Sequence, residues 1–131
     1  AVHDQTLAYM KMRKQFGQTL GSFQALQHRI VDVYVKCQLA QSMAWDAVSA
    51  LDSADPEDRM RRISAAKAHV AEAAMIVGKE GVQLHGGVGI TNDIAVGHYF
   101  KRLAAIAHTY GDADHHVERF RRLSGLGGNI G

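Results

Sequence analysis

Two short stretches of this 131-residue chain carry residue types that could act on a ligand. The first is Arg13-Lys14-Gln15-Phe16-Gly17, with Phe23-Gln24-Ala25-Leu26-Gln27 after it. A guanidinium pairs bidentately with phosphate, the Gln15 amide can bond a ring or ribose edge, and the Phe16 ring can pack beside a flat heteroaromatic plane. The second is Gln83-Leu84-His85-Gly86-Gly87-Val88-Gly89. Its glycines withdraw side chains where the backbone must turn, so a flat group or a phosphate can come close to the main chain. Each stretch also has a plain structural reading: solvated charges beside a core phenylalanine for the first, a connection between helices for the second.

Other chemistry is poorly supported. The chain has eight histidines, but only His115 and His116 adjoin, and adjacent residues on a helix point about 100° apart, which is wrong for chelating one ion. No metal site is expected. No serine occupies a Gly-x-Ser-x-Gly elbow, so a hydrolase nucleophile has no support either.

The elements that must position the two stretches are helical. Leu26, Ile30, Val33, Cys37, Ala40, Ala44, Ala47 and Leu51 recur in steps of three and four. That spacing predicts a helix of roughly thirty residues, about 45 Å long, with one stripe turned to a partner. Asp55-Pro56-Glu57-Asp58 then reads as a helix start: a capping carboxylate, a proline tolerated in the first turn, and two acids at the positive end of the dipole. Met60, Ile63, Val70, Ala74, Val77 and Leu84 continue the rhythm, with Lys67 in the seam, so two long antiparallel helices are implied. Alanine on both stripes favours close helix approach.

An earlier helix is under way by Leu7 and Met10 and is expected to end at Phe16-Gly17. A further helix should start near Thr91-Asn92-Asp93 and run through Ile94, Tyr99, Phe100, Leu103 and Ile106 to about Thr109. Gly111 breaks the pattern, and Asp112 caps a last helix carrying Val117, Phe120 and Leu123. No strand alternation is visible. The fold class is all-α, an up-and-down bundle of four to five helices over residues 1–123, with 124–131 as a flexible glycine-rich tail.

Composition sets outer bounds. The length fits one domain, and a formal charge of +2 is too small to argue for nucleic acid or an anionic membrane. No run of eighteen apolar residues and no signal peptide is present. The single cysteine, Cys37, rules out a disulfide framework within the chain. A soluble, cytoplasmic setting is therefore expected. A helix already under way with neither an initiator methionine nor a clear cap before it suggests a fragment of a longer polypeptide.

Taken together, Tyr9-x-x-x-Arg13-x-Gln15-Phe16-Gly17, Phe23-Gln24-x-x-Gln27 and Gln83-Leu84-His85-Gly86-Gly87-x-Gly89 resemble the C-terminal helical domain of the acyl-CoA dehydrogenase family, from about Tyr9 to Arg122. The resemblance implies a bundle that packs into an oligomer, dimer or tetramer, with FAD lying across a subunit boundary. It implies that Arg13, Gln15 and Phe16 reach an FAD bound mainly by a neighbouring subunit, that Phe23 and Gln24 line the same surface, and that Gln83, His85, Gly86 and Gly87 cross its diphosphate and ribose. It further implies an acyl-CoA substrate, an electron acceptor protein, and α,β-dehydrogenation in which a carboxylate removes the α proton.

The carboxylate is the point of departure. Many members of that family carry it nine residues after an arginine, and nine residues after Arg102 stands Gly111. Asp112 is a weak substitute, shorter by a methylene and better suited to capping a helix. Some members place the base on the first helix of the domain, upstream of where this chain begins. The remaining option, ranked first, is a non-catalytic member of a heteromeric enzyme. Ala113 and His115 stand where the family has a flavin-contacting threonine and glutamine. The 131 residues alone are expected to be inactive, since most of the flavin and acyl pocket would lie elsewhere. The competing expectation is a helical assembly module whose glycine bend is only a turn.

Overall fold

A computed structural model describes residues 1–90 and 95–126. Helix α1 spans Val2–Met12. A two-stranded antiparallel hairpin follows, β1 (Lys14–Gln15) against β2 (Gln18–Thr19), with Lys14 opposite Thr19 and Gln15 opposite Gln18. One 3-10 turn, Leu20–Ser22, leads into α2, Gln24–Ser49. After a second such turn at Ala50–Asp52 comes α3, Pro56–His85, and then a 3-10 segment at Gly86–Ile90. Helices α4 (Ala95–His108) and α5 (Ala113–Leu123) complete the described chain.

Helix α3 is the axis: it touches each of the other four helices. Its buried residues explain how. Ser64, Ala66, Ala71, Ala73, Gly78 and Gly81 are small, so neighbours approach from several sides. At Gly81 an added Cβ would lie 2.6 Å from Val2 Cγ1 and 3.1 Å from Val96 Cγ2. Val2, Met10, Leu20, Ile30, Val33, Val77, Leu84 and Val96 form the core around this end of α3.

Ion pairs hold α2 antiparallel to α3. Arg62, early in α3, grips the Asp46 carboxylate near the end of α2 with Nε at 3.1 Å and Nη2 at 2.5 Å. Arg29, early in α2, reaches Glu80 near the end of α3 at 2.8 Å. The Arg62 hydrogen bonds hold the Asp46 carboxyl below its ordinary range. Whatever this contact adds to stability is therefore complete above about pH 4 and fades as the pH falls through the lowered native value. Lys67, expected in the apolar seam, instead sends its ammonium to the carbonyls of Ile106 and Ala107, both at 3.1 Å. It thereby caps carbonyls in the last turn of α4.

The start of α3 follows the sequence reading. Asp55 accepts the Glu57 amide at 2.9 Å, and Pro56 opens the helix. Asp55→Ala should cost about 1 kcal/mol of folding stability, read as a shifted urea midpoint with an unchanged slope.

Three expectations are revised. The first helix stops at Met12, not at Phe16-Gly17, because Phe16 (φ 52) and Gly17 (φ 77) both take left-handed conformations that close a two-residue hairpin. Strands of two residues are too short to show alternation. Second, α2 has 26 residues, not thirty, since its end tightens into the 3-10 turn at Ala50–Asp52. Third, Gln83, Leu84 and His85 belong to the last turn of α3, so the glycine bend begins at Gly86 and not at Gln83. The expected cap at Thr91-Asn92-Asp93 lies outside the described residues, as does the tail from 127 on. Among the described residues no helix is long and apolar enough to cross a membrane.

Candidate functional site

The hairpin places its side chains in solvent. Arg13, Gln15 and Gln24 are exposed, Phe23 is half-buried against the core, and Phe16 is 90% exposed. Arg13 ends α1, its amide bonding the Tyr9 carbonyl at 2.8 Å, and its own carbonyl accepts the Leu20 amide at 2.8 Å. Its guanidinium forms no ion pair among the described residues. An exposed aromatic ring on a left-handed, non-glycine residue is unfavourable twice over, through sterics and through hydration.

The glycine bend follows the end of α3. Gln83 is exposed, and its carbonyl accepts the Gly86 amide. Gly86 has φ 62 and ψ −149, a region open almost only to glycine. A Cβ added at Gly86 or Gly87 would meet nothing within 4 Å, so both face open space. Gly89 differs: its Cβ would sit 2.6 Å from the Val82 carbonyl oxygen, so that glycine serves packing.

Tyr9 joins the two stretches. Its ring stacks on His85 with centroids 4.3 Å apart, and its hydroxyl donates to the His85 carbonyl at 3.3 Å. The hairpin therefore leaves α1 one helical turn from the residue that precedes Gly86. His85 itself is 4% exposed, its Nδ1 at 2.8 Å from the Gly81 carbonyl. Sequence reasoning took Tyr9 as a motif position and missed this contact. The only available signal was the presence of two ring-bearing residues in the paired motifs.

At the third candidate position, Asp112 accepts the His115 amide at 2.9 Å and caps α5. That hydrogen bond, first among the causes, lowers its carboxyl from the ordinary value, which weakens it as a base. Tyr110 (φ 61) and Gly111 (φ 99) form a left-handed turn, and His116 Nε2 lies 2.9 Å from the Tyr110 carbonyl. A Cβ at Gly111 would lie 2.6 Å from the His115 ring. Gly111→Glu should therefore destabilise the protein by about 2 kcal/mol in thermal unfolding, and it should confer no proton abstraction. No cluster of three metal-ligating side chains occurs among the described residues. A groove of about 560 Å³ between α3 and α5 is lined by Ala65, His69, Glu72 and Phe120 among others and by no residue of the two stretches.

The sequence profile described as "Acyl-CoA dehydrogenase, C-terminal domain" matches residues 1–122. The chain belongs to the acyl-CoA dehydrogenase family. It is 38% identical over 120 residues to "Acyl-CoA dehydrogenase IpdE2" of Mycolicibacterium smegmatis, covering 92% of this chain and 35% of that protein. It superposes on a chain of the "ChsE4-ChsE5 complex from Mycobacterium tuberculosis" with a TM-score of 0.87 and 28% identity, covering 99% of this chain and 34% of that one. For the "FAD complex of PigA" the TM-score is 0.86 at 26% identity, covering 95% of this chain and 32% of the other. The chain thus spans about a third of the length of the relatives it matches. As a C-terminal domain of acyl-CoA dehydrogenase-like flavoproteins, it presents the two motif stretches at one end of its bundle.

Proposed function

We propose that this chain completes an inter-subunit FAD site in an enzyme that dehydrogenates acyl-CoA thioesters, and that it does so without supplying the catalytic base. One observation carries the reading: the Tyr9–His85 contact ties the end of α1, four residues before the unpaired Arg13, to the residue before the side-chain-free bend. The chemistry of these residues fits a dinucleotide. Arg13 offers a fork for the diphosphate, the exposed main chain at Gly86 and Gly87 offers close approach, and Phe16 offers a face for a flat ring. Gln15, Gln24 and Gln83 are exposed amides suited to ribose or ring edges. When bound, FAD supplies the hydride acceptor. The chain's own residues hold and orient it and exclude water, and Gly111 in place of a glutamate leaves proton abstraction to another chain or an earlier segment. Mixing the isolated 131 residues with FAD, an acyl-CoA series and an electron acceptor should give no reduction of the acceptor. Robust turnover would overturn the reading.

An oligomer is part of this reading. The 14.3 kDa chain exposes 8520 Å², against about 6,800 Å² for a monomeric globular protein of that mass, an excess that other segments of a longer polypeptide or a second subunit would cover. On α2, Val31, Tyr34, Val35, Leu39, Trp45 and Val48 are each roughly half exposed or more. Exposed apolar side chains that include a tryptophan match the composition of an interface centre. Leu39→Lys combined with Trp45→Lys should lower the mass of the assembled flavoprotein in light scattering by at least one subunit step; an unchanged mass would place the interface elsewhere.

A further inference from the structure

We propose that Tyr9 and His85 form a latch that fixes the hairpin against the glycine bend, and that His85 acts as a positioning residue without touching the cofactor. The functional consequence depends on the FAD site proposed above, whereas the latch itself depends only on geometry.

His85 is committed inward. Its ring is 4% exposed and lies on Tyr9 at 4.3 Å with an interplanar angle of 27°. Its Nδ1 sits 2.8 Å from the Gly81 carbonyl oxygen, which accepts only if Nδ1 carries the proton, so this contact selects the tautomer. At Gly81 α3 also meets α1 and α4, through Val2, Thr6 and Val96. Tyr9 answers from the other side: its hydroxyl donates to the His85 carbonyl, one of the acceptors a helix end leaves open. The two ends of the site follow directly. Four residues after Tyr9 is Arg13, whose amide closes α1 on the Tyr9 carbonyl. One residue after His85 is Gly86, where the chain turns left-handed. Moving either ring thus moves a segment that carries none of the latch's own atoms.

This makes a coupling prediction that a merely local role does not. In the full-length protein freed of cofactor, Tyr9→Leu should raise amide exchange across the glycine bend (residues 83–90), and His85→Leu should raise it across the hairpin (13–20), while α2 exchange stays unchanged. His85→Asn can restore the Nδ1-type donor to Gly81 and His85→Phe the stack, so each should recover part of the protection. In the FAD-loaded protein, Tyr9→Leu and His85→Leu should each weaken FAD binding about tenfold, the factor set by about 1.4 kcal/mol, and Tyr9→Phe should weaken it less. If exchange rises only in the mutated segment, the latch is wrong. If the cross-segment coupling appears but neither these variants nor Arg13→Ala alters FAD binding, the latch stands and the flavin reading fails. Should His85→Leu not fold, Tyr9→Phe and His85→Asn carry the same comparison.

Discussion

Gly81→Val should destabilise the folded chain by about 3 kcal/mol and lower its melting temperature by roughly 10 °C. Two effects oppose each other at this site. Replacing a helix-interior glycine with β-branched valine gains only about 0.3 kcal/mol of helix propensity. The added carbons, however, enter space already held by Val2 Cγ1 at 2.6 Å, Val96 Cγ2 at 3.1 Å and the Thr6 hydroxyl at 3.5 Å. Val96 and Thr6 are fully buried, so neither has room to retreat, and overpacking costs one to several kcal/mol. Packing wins. The same clash separates α1 and α4 from the end of α3, so the loss should appear in calorimetry as a lower enthalpy as well as a lower midpoint. A Gly81→Val protein as stable as its parent would show that α1 is not held where the structure puts it.

Arg13→Glu should lower FAD affinity in the assembled flavoprotein by about 100-fold. A hydrogen bond to a charged group contributes about 1.5–3 kcal/mol, and reversing the sign adds repulsion from the diphosphate. The substitution leaves the fold alone, because Arg13 is exposed and contributes only backbone bonds to the structure. Fluorescence titration of the cofactor-free protein, with melting temperature as the control, measures the effect. An unchanged dissociation constant would detach the hairpin from the cofactor and favour the assembly-module alternative.

Much of the architecture was legible because it rests on periodic signals. The first half of the predicted stripe, Leu26, Ile30, Val33 and Cys37, does face the core or its edge, whereas Ala44 and Leu51 in its second half are exposed; Asp55 and Asp112 cap the helices their positions announced. What escaped rests on contacts between residues far apart in sequence. Tyr9 and His85 are separated by 76 positions, and nothing local distinguishes a histidine that stacks inward from one that reaches a ligand. Lys67 looked like a flaw in an apolar seam because its ammonium's partners are carbonyls on another helix. The exposed apolar residues of α2 were overlooked for a different reason: Val31, Val35, Leu39, Trp45 and Val48 follow no single helical period that would mark them as a set. The hairpin was hidden by its brevity and by Phe16, whose hydrophobicity suggested a core residue where the backbone instead turns it out.

That turn sets stability and usefulness against each other. With φ 52, position 16 would suit asparagine or glycine better than phenylalanine, and a polar residue would also avoid holding a bare ring in water. Selection for robustness alone would therefore replace Phe16, so the hairpin tip is where a consensus-style thermostabilised variant should be distrusted first.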